Sequence, residues 1–200
     1  MPILFKEINS SKSHVISCFC PLEPCVQREH LTLSKQITTT DGITKWVELD
    51  DKGLFEGKKV VIFGLPGAFT PTCSSQQLPG FEQAYNDFRQ AGIDDIYCVT
   101  VNDSFVCNAW TANQALVNVK VIPDGSAQLT IKMGMDVRKD NIGFGVRSWR
   151  YAAVVDDGNI VQQFVEDGFG DDVEGDPYEV SSPENVLKYL QSSTLDSNAI

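Results

Sequence analysis

The stretch Val60-Val-Ile-Phe-Gly-Leu65 constrains this chain more than any other. It is apolar without a break, so it reads as a strand buried on both faces. Such strands belong to sheets with helices packed on either side. It runs directly into Pro66-Gly-Ala-Phe-Thr-Pro-Thr-Cys73. Two prolines and a glycine stop the strand there, and Thr70-Pro71 is a good start for a helix, with threonine as N-cap and proline at the first helical position. One cysteine follows in the first turn.

The rest of the pattern supports the same architecture. A strand is predicted over 44–49, and a helix over about 71–91 from the spacing of Leu78, Phe81, Tyr85 and Phe88, with a kink at Pro79 and a stop at Gly92. "IYCVTV" (96–101) reads as a second buried strand. Residues 104–116 read as a helix capped by Ser104, and 119–125 as a short strand and turn. "RYAAVVDDGNIVQQFVE" (150–166) is a hairpin around Asp157-Gly158. Ser182-Pro183 opens a final helix, with Val186, Leu187 and Leu190 on one face. Strand, helix, strand, helix, hairpin and helix make an α/β domain with a central mixed sheet flanked by helices. The organisation read from this is an irregular extension over 1–35, one domain over 36–192 and a frayed tail over 193–200. The acidic, glycine-rich run 167–179 reads as a surface loop.

Bulk properties narrow the function. The 200 residues, 42% of them hydrophobic, suit one domain with a full core. A formal net charge of -11 opposes nucleic acids and anionic membranes, so neither is an expected partner. No apolar run reaches the roughly 18 residues of a membrane span. The N-terminal residues match neither a secretory nor a transit pattern, so a cytoplasmic location is expected. There the cysteines at 18, 20, 25, 73, 98 and 107 read as buried thiols plus one reactive one. Cys73 is the reactive candidate. Unpaired N–H groups and the positive end of the dipole in a first helical turn favour a thiolate over a thiol. Thr70, one turn earlier, is within reach of the sulfur or of a bound oxygen. A thiolate also calls for a cation. Arg147 and Arg150 are available, and strand alternation allows only one of them into the same pocket.

The stretch "PGAFTPTCS" resembles the P-x-x-x-T-x-x-C active-site motif of peroxiredoxins. "LPGFEQAYNDFRQAGIDDIYCVTVNDSFVCNAW" and "RYAAVVDDG" resemble the atypical type II (type 5) branch, especially bacterial forms fused to a glutaredoxin domain. The resemblance runs over about residues 37–191. It implies a thioredoxin-like fold and thiol-dependent reduction of hydrogen peroxide and alkyl hydroperoxides. It makes Cys73 the peroxidatic cysteine, with Thr70 orienting peroxide and thiolate, Pro66 shielding the sulfur and Arg150 as the pocket arginine. Arg147, Phe69 and Phe144 fall around the substrate or behind this set. The resemblance implies no metal or other cofactor. It also implies a homodimer, to which Phe69 contributes.

The reducing half of the cycle is less defined. Cys98, in a buried strand, is a candidate resolving thiol by resemblance and an inert core thiol by its burial. Cys107 reads as core. The run "CFCPLEPC" with His14 and His30 is not by itself a four-ligand zinc pattern, and a flexible resolving thiol there is a further alternative. No glutaredoxin-like domain accompanies the match, so the preferred expectation is a one-cysteine cycle reduced by glutathione with a separate glutaredoxin, or by thioredoxin. Two rivals exist. One is a redox sensor that relays oxidation without turnover. The other is a thioredoxin-type disulfide oxidoreductase, which would need a second cysteine where Ser74, Ser75 and Gln76 stand.

Overall fold

A computed structural model of the protein describes residues 31–39 and 41–197. Cys18, Cys20, Cys25, His14 and His30 lie outside them. The centre is a five-stranded sheet built on β3 (Lys59–Leu65). Parallel to it run β4 (Asp95–Thr100) and, beyond that, β5 (Lys120–Pro123). On its other side β8 (Tyr151–Asp156) and β9 (Asn159–Val165) run antiparallel, giving the order β5-β4-β3-β8-β9. This mixed sheet flanked by helices is the thioredoxin-like arrangement expected from the sequence.

The unbroken apolar run of β3 is explained by its position. Val61, Phe63 and Leu65 enter one core with Phe81, Phe88, Trp110, Val186 and Leu190, while Val60 and Ile62 enter the other with Leu33, Phe55, Tyr97 and Leu129. The first core is covered by α2 (Leu78–Gln83), α3 (Tyr85–Gln90), α4 (Ser104–Asn113) and α6 (Pro183–Ser197). Phe81 stacks between Phe63 and Phe88, with ring centroids 4.2 and 5.7 Å away. The second core is closed by α1 (Asp51–Phe55), α5 (Gln128–Lys132) and the hairpin of β1 (Thr32–Thr38) with β2 (Thr44–Asp50). A small ribbon of β6 (Asp136–Lys139) and β7 (Gly145–Ser148) precedes β8.

Several expectations are corrected. Strand β1 begins inside the stretch read as irregular; its core-facing residues are few, because Leu33 is buried but Thr32 and Ser34 are exposed. The predicted single helix over 71–91 is broken, but not at Pro79. Cys73–Gln77 form a wide π-turn, with the Leu78 N–H bonding back to the Cys73 carbonyl, and the chain is interrupted again at Ala84. Pro79 lies in the first turn of α2, where its missing N–H is tolerated, and the π-turn takes up the change of register just before it. Asp103, not Ser104, caps α4, accepting from the N–H groups of Phe105 and Val106 at 2.8 and 3.0 Å. The Ser104 hydroxyl instead accepts from the Gln36 N–H across to β1 at 2.7 Å. The last helix runs to Ser197, beyond where a frayed tail was expected to begin.

Gly64 of β3 is required by packing. A Cβ there would fall 2.2 Å from the Tyr151 ring and 2.5 Å from the Ser148 hydroxyl. Gly64→Ala is expected to destabilise the protein by about 1–3 kcal/mol or more, measured by chemical denaturation. Wild-type stability in that variant would contradict the tight packing of β3 on β8.

Candidate active site

The carboxyl end of β3 delivers the motif. Pro66 and Gly67 are buried, and the loop then rises to Phe69, which is 52% exposed. Phe69 holds φ +64°, a left-handed conformation that costs a non-glycine residue roughly 1–2 kcal/mol. Strain of this kind concentrates at functional sites. The Ala68 N–H donates to Asn102 Oδ1 at 3.0 Å, and Thr100 Oγ1 donates to the same oxygen at 2.7 Å. These bonds tie the loop to the end of β4. The Ser74 N–H donates to the Thr70 carbonyl at 3.0 Å and starts the helix. The Thr70 side chain does not cap that helix. It donates to the Gly67 carbonyl at 2.8 Å, which fixes its hydroxyl inside the loop.

Cys73 is fully buried on the π-turn. Arg150, 1% exposed, directs Nη1 to its sulfur at 3.6 Å. The same Nη1 donates to Gln77 Oε1, Nη2 pairs with Asp176, and the guanidinium lies 5.7 Å from the centre of the Tyr178 ring. Nε is buried with no partner among the described residues. Burial works against the Arg150 charge, but the Cys73 sulfur and the Asp176 carboxylate outweigh it, so the group is held above its ordinary pKa. The guanidinium is therefore a permanent cation beside the sulfur.

Arg150 and not Arg147 lies at the sulfur, and strand alternation is not the reason. Arg147 and Arg150 are not on one strand: Arg147 belongs to β7, and Trp149-Arg150 form the step between β7 and β8. Arg147 donates to the carbonyls of Phe144 and Val101, both at 3.1 Å, and lies over the Phe144 ring. It braces the motif loop, since a Cβ on Gly67 would meet its Nη1 at 3.2 Å and Thr70 Cγ2 at 3.3 Å. Phe144 is 36% exposed. Trp110 and Trp149 are core residues with the indole N–H satisfied, by the Ser74 hydroxyl and the Glu166 carbonyl.

Three contributors to the Arg150 environment were not singled out from sequence: Gln77, Asp176 and Tyr178. Gln77 lies one helical turn after Cys73, a spacing that was readable. Asp176 and Tyr178 come from the acidic loop, and nothing local marks them. The exit of that loop is pinned by Glu166, whose carboxylate accepts from the N–H groups of Glu179 (2.9 Å) and Ser181 (2.8 Å) and from the Ser181 hydroxyl (2.7 Å). Burial raises the Glu166 pKa, but these bonds overcome it and hold the group below its ordinary value.

Known proteins resemble this chain over most of its length. The Redoxin family profile matches residues 33–177. A peroxiredoxin of Rhizobium etli is 57% identical over 148 residues, covering 74% of this chain and 83% of the relative. The chain belongs to the peroxiredoxin family. It is a type II (type 5) peroxiredoxin, and hence a thiol peroxidase. The hybrid peroxiredoxin hyPrx5 of Haemophilus influenzae is 46% identical over 146 residues, covering 73% of this chain and 59% of that protein. The crystal structure of a Plasmodium falciparum antioxidant protein, a 1-Cys peroxiredoxin, superposes with a TM-score of 0.77 at 33% identity, covering 82% of this chain and 96% of that one.

The other described cysteines of this peroxiredoxin are free thiols in different surroundings. Cys98 lies in β4 between Phe63 and Val121. Burial pushes its thiol well above the ordinary pKa, and the Cys73 and Cys107 sulfurs add to that. Burial, with Asp103 nearby, pushes Cys107 up to about 12. Both are therefore neutral thiols at physiological pH. Among the described residues no group of His, Cys, Asp and Glu is arranged to hold a metal ion, and no helix is long and apolar enough to cross a membrane. At pH 8, Cys98 and Cys107 are expected to resist iodoacetamide in the native protein and to react in denaturant, as read by peptide mass spectrometry. Rapid native labelling of either would contradict their placement in the core.

Proposed function

We propose that this peroxiredoxin reduces hydrogen peroxide and alkyl hydroperoxides through a sulfenic acid on Cys73. The observation that carries the reading is the buried Arg150 guanidinium, 3.6 Å from the sulfur, with its Nε donor left without a partner among the described residues. A neutral peroxide enters beside the sulfur and takes that donor. The Cys73 thiolate attacks the nearer oxygen, the S–O bond forms and the O–O bond breaks. Sulfur is oxidised by two electrons. The leaving alkoxide or hydroxide takes a proton and departs as alcohol or water. Arg150 stabilises the negative charge that spreads over the oxygens, in the manner of an oxyanion hole. Thr70, held in the loop by Gly67, orients the peroxide, and Pro66 keeps bulk water from the sulfur.

The sulfenic acid is then attacked by a thiol, with loss of water and formation of a disulfide. The supported scheme is a one-cysteine cycle, in which glutathione forms the mixed disulfide and a glutaredoxin removes it, with thioredoxin as the other reductant of this kind. The neutral core environment of Cys98 favours that scheme over resolution by Cys98. Because Cys73 is fully covered, a peroxide and the larger reductant alike reach it only when the first turn opens, and the π-turn is the natural place for that. Phe69 and Phe144, both exposed beside the site, suit an apolar contact between two copies of the chain.

Arg150→Met is expected to lower the second-order rate with hydrogen peroxide by about 10²–10³-fold, the loss typical of one such donor, measured by stopped flow. A rate within a few fold of wild type would remove Arg150 from the chemistry.

A further inference from the structure

A guanidinium carries five N–H donors in one plane, so its usefulness depends on how that plane is set. The contacts of Arg150 fall on opposite sides. Cys73 and Gln77, both on the π-turn, meet Nη1. Contacts at one nitrogen hold that end of the guanidinium and leave its far side to be held by something else. The second point of attachment is Nη2 on Asp176, supplied by the loop between β9 and α6. Arg150 is 1% exposed and the Asp176 side chain is 40% exposed, so the buried cation reaches outward to a carboxylate at the surface. The loop that carries Asp176 is tied down on both sides. Upstream, Asp171 and Asp172 accept from the N–H groups of Arg138 and Asn141 at 2.7 and 3.0 Å. Downstream, Glu166 holds residues 179–181. Tyr178 lies against the Arg150 face from the same segment.

We propose that Asp176 is a positioning residue of the peroxidase site: it fixes the plane of Arg150 so that Nη1 meets the Cys73 sulfur while Nε faces the incoming peroxide. This rests on the roles given to Cys73 and Arg150 under Proposed function. The carboxylate acts in two opposed ways. Its hydrogen bond sets the guanidinium, while its charge draws on the same cation that the sulfur uses. Asparagine keeps an oxygen acceptor and removes the charge. Alanine removes both.

The test compares single-turnover peroxide consumption by Asp176→Asn, Asp176→Ala, Cys73→Ser and wild type. Alkylation of Cys73 by iodoacetamide and the thermal midpoint are measured alongside. Alkylation needs the nucleophile but no donor aimed at an oxygen. Asp176→Ala is expected to lose roughly 10-fold to 100-fold in peroxide rate, the scale of a misplaced catalytic group, and Asp176→Asn to stay within about threefold of wild type. Alkylation is expected to stay within about threefold in both. Asp176→Ser replaces alanine if the alanine variant fails to fold. A wild-type peroxide rate in Asp176→Ala overturns the proposal. So does an equal fall in Asp176→Asn, or a parallel fall in alkylation and thermal midpoint. Activity retained by Cys73→Ser would instead remove the reading of the site on which the proposal stands.

Discussion

A charged guanidinium buried against a sulfur is the interaction on which the rest of this structure depends. Taking such a cation out of water costs several kcal/mol unless partners replace the water. Arg150, itself on the step between β7 and β8, receives those partners from two other parts of the chain, the π-turn and the acidic loop. None of them works alone. The step positions the arginine, the π-turn brings Cys73 and Gln77 to one nitrogen, and the loop supplies the carboxylate. The buried Glu166, with its four hydrogen bonds to residues 179–181, secures the loop that the site requires.

The same arrangement gives a reason for the local irregularity here. Phe69 sits at positive φ, Cys73–Gln77 leave α-helical geometry, and Gln77 Nε2 and Arg150 Nε are buried without partners among the described residues. Around them two apolar cores bury both faces of β3, and that strand gives the motif loop a fixed starting point. The acidic surface does not oppose the chemistry, because the proposed oxidant is neutral.

The features most legible in the sequence were those set by local pattern. The apolar run of β3, the Asp157-Gly158 hairpin and the Ser182-Pro183 helix start are all where periodicity and turn chemistry put them. The juxtaposition of Cys73 and Arg150 was reached through family resemblance, since 77 residues separate the two and no local rule joins them. Strand β1 escaped notice because its polar, half-exposed sequence gains order only by pairing with β2 and packing on α4. The π-turn was hidden because its residues are compatible with an ordinary helix, and Asp176 because an aspartate in an acidic loop looks like every other. The missed parts are those set by tertiary contact rather than by propensity.

In the proposed cycle Cys73 alone takes the oxidising equivalent. This is tested most directly by adding one equivalent of hydrogen peroxide to the fully reduced protein, counting thiols and locating the oxidised residue by peptide mass spectrometry after dimedone trapping. One thiol lost for each peroxide consumed is expected, with the adduct on Cys73. Loss of two thiols with an intramolecular disulfide, or an adduct on another cysteine, would contradict it.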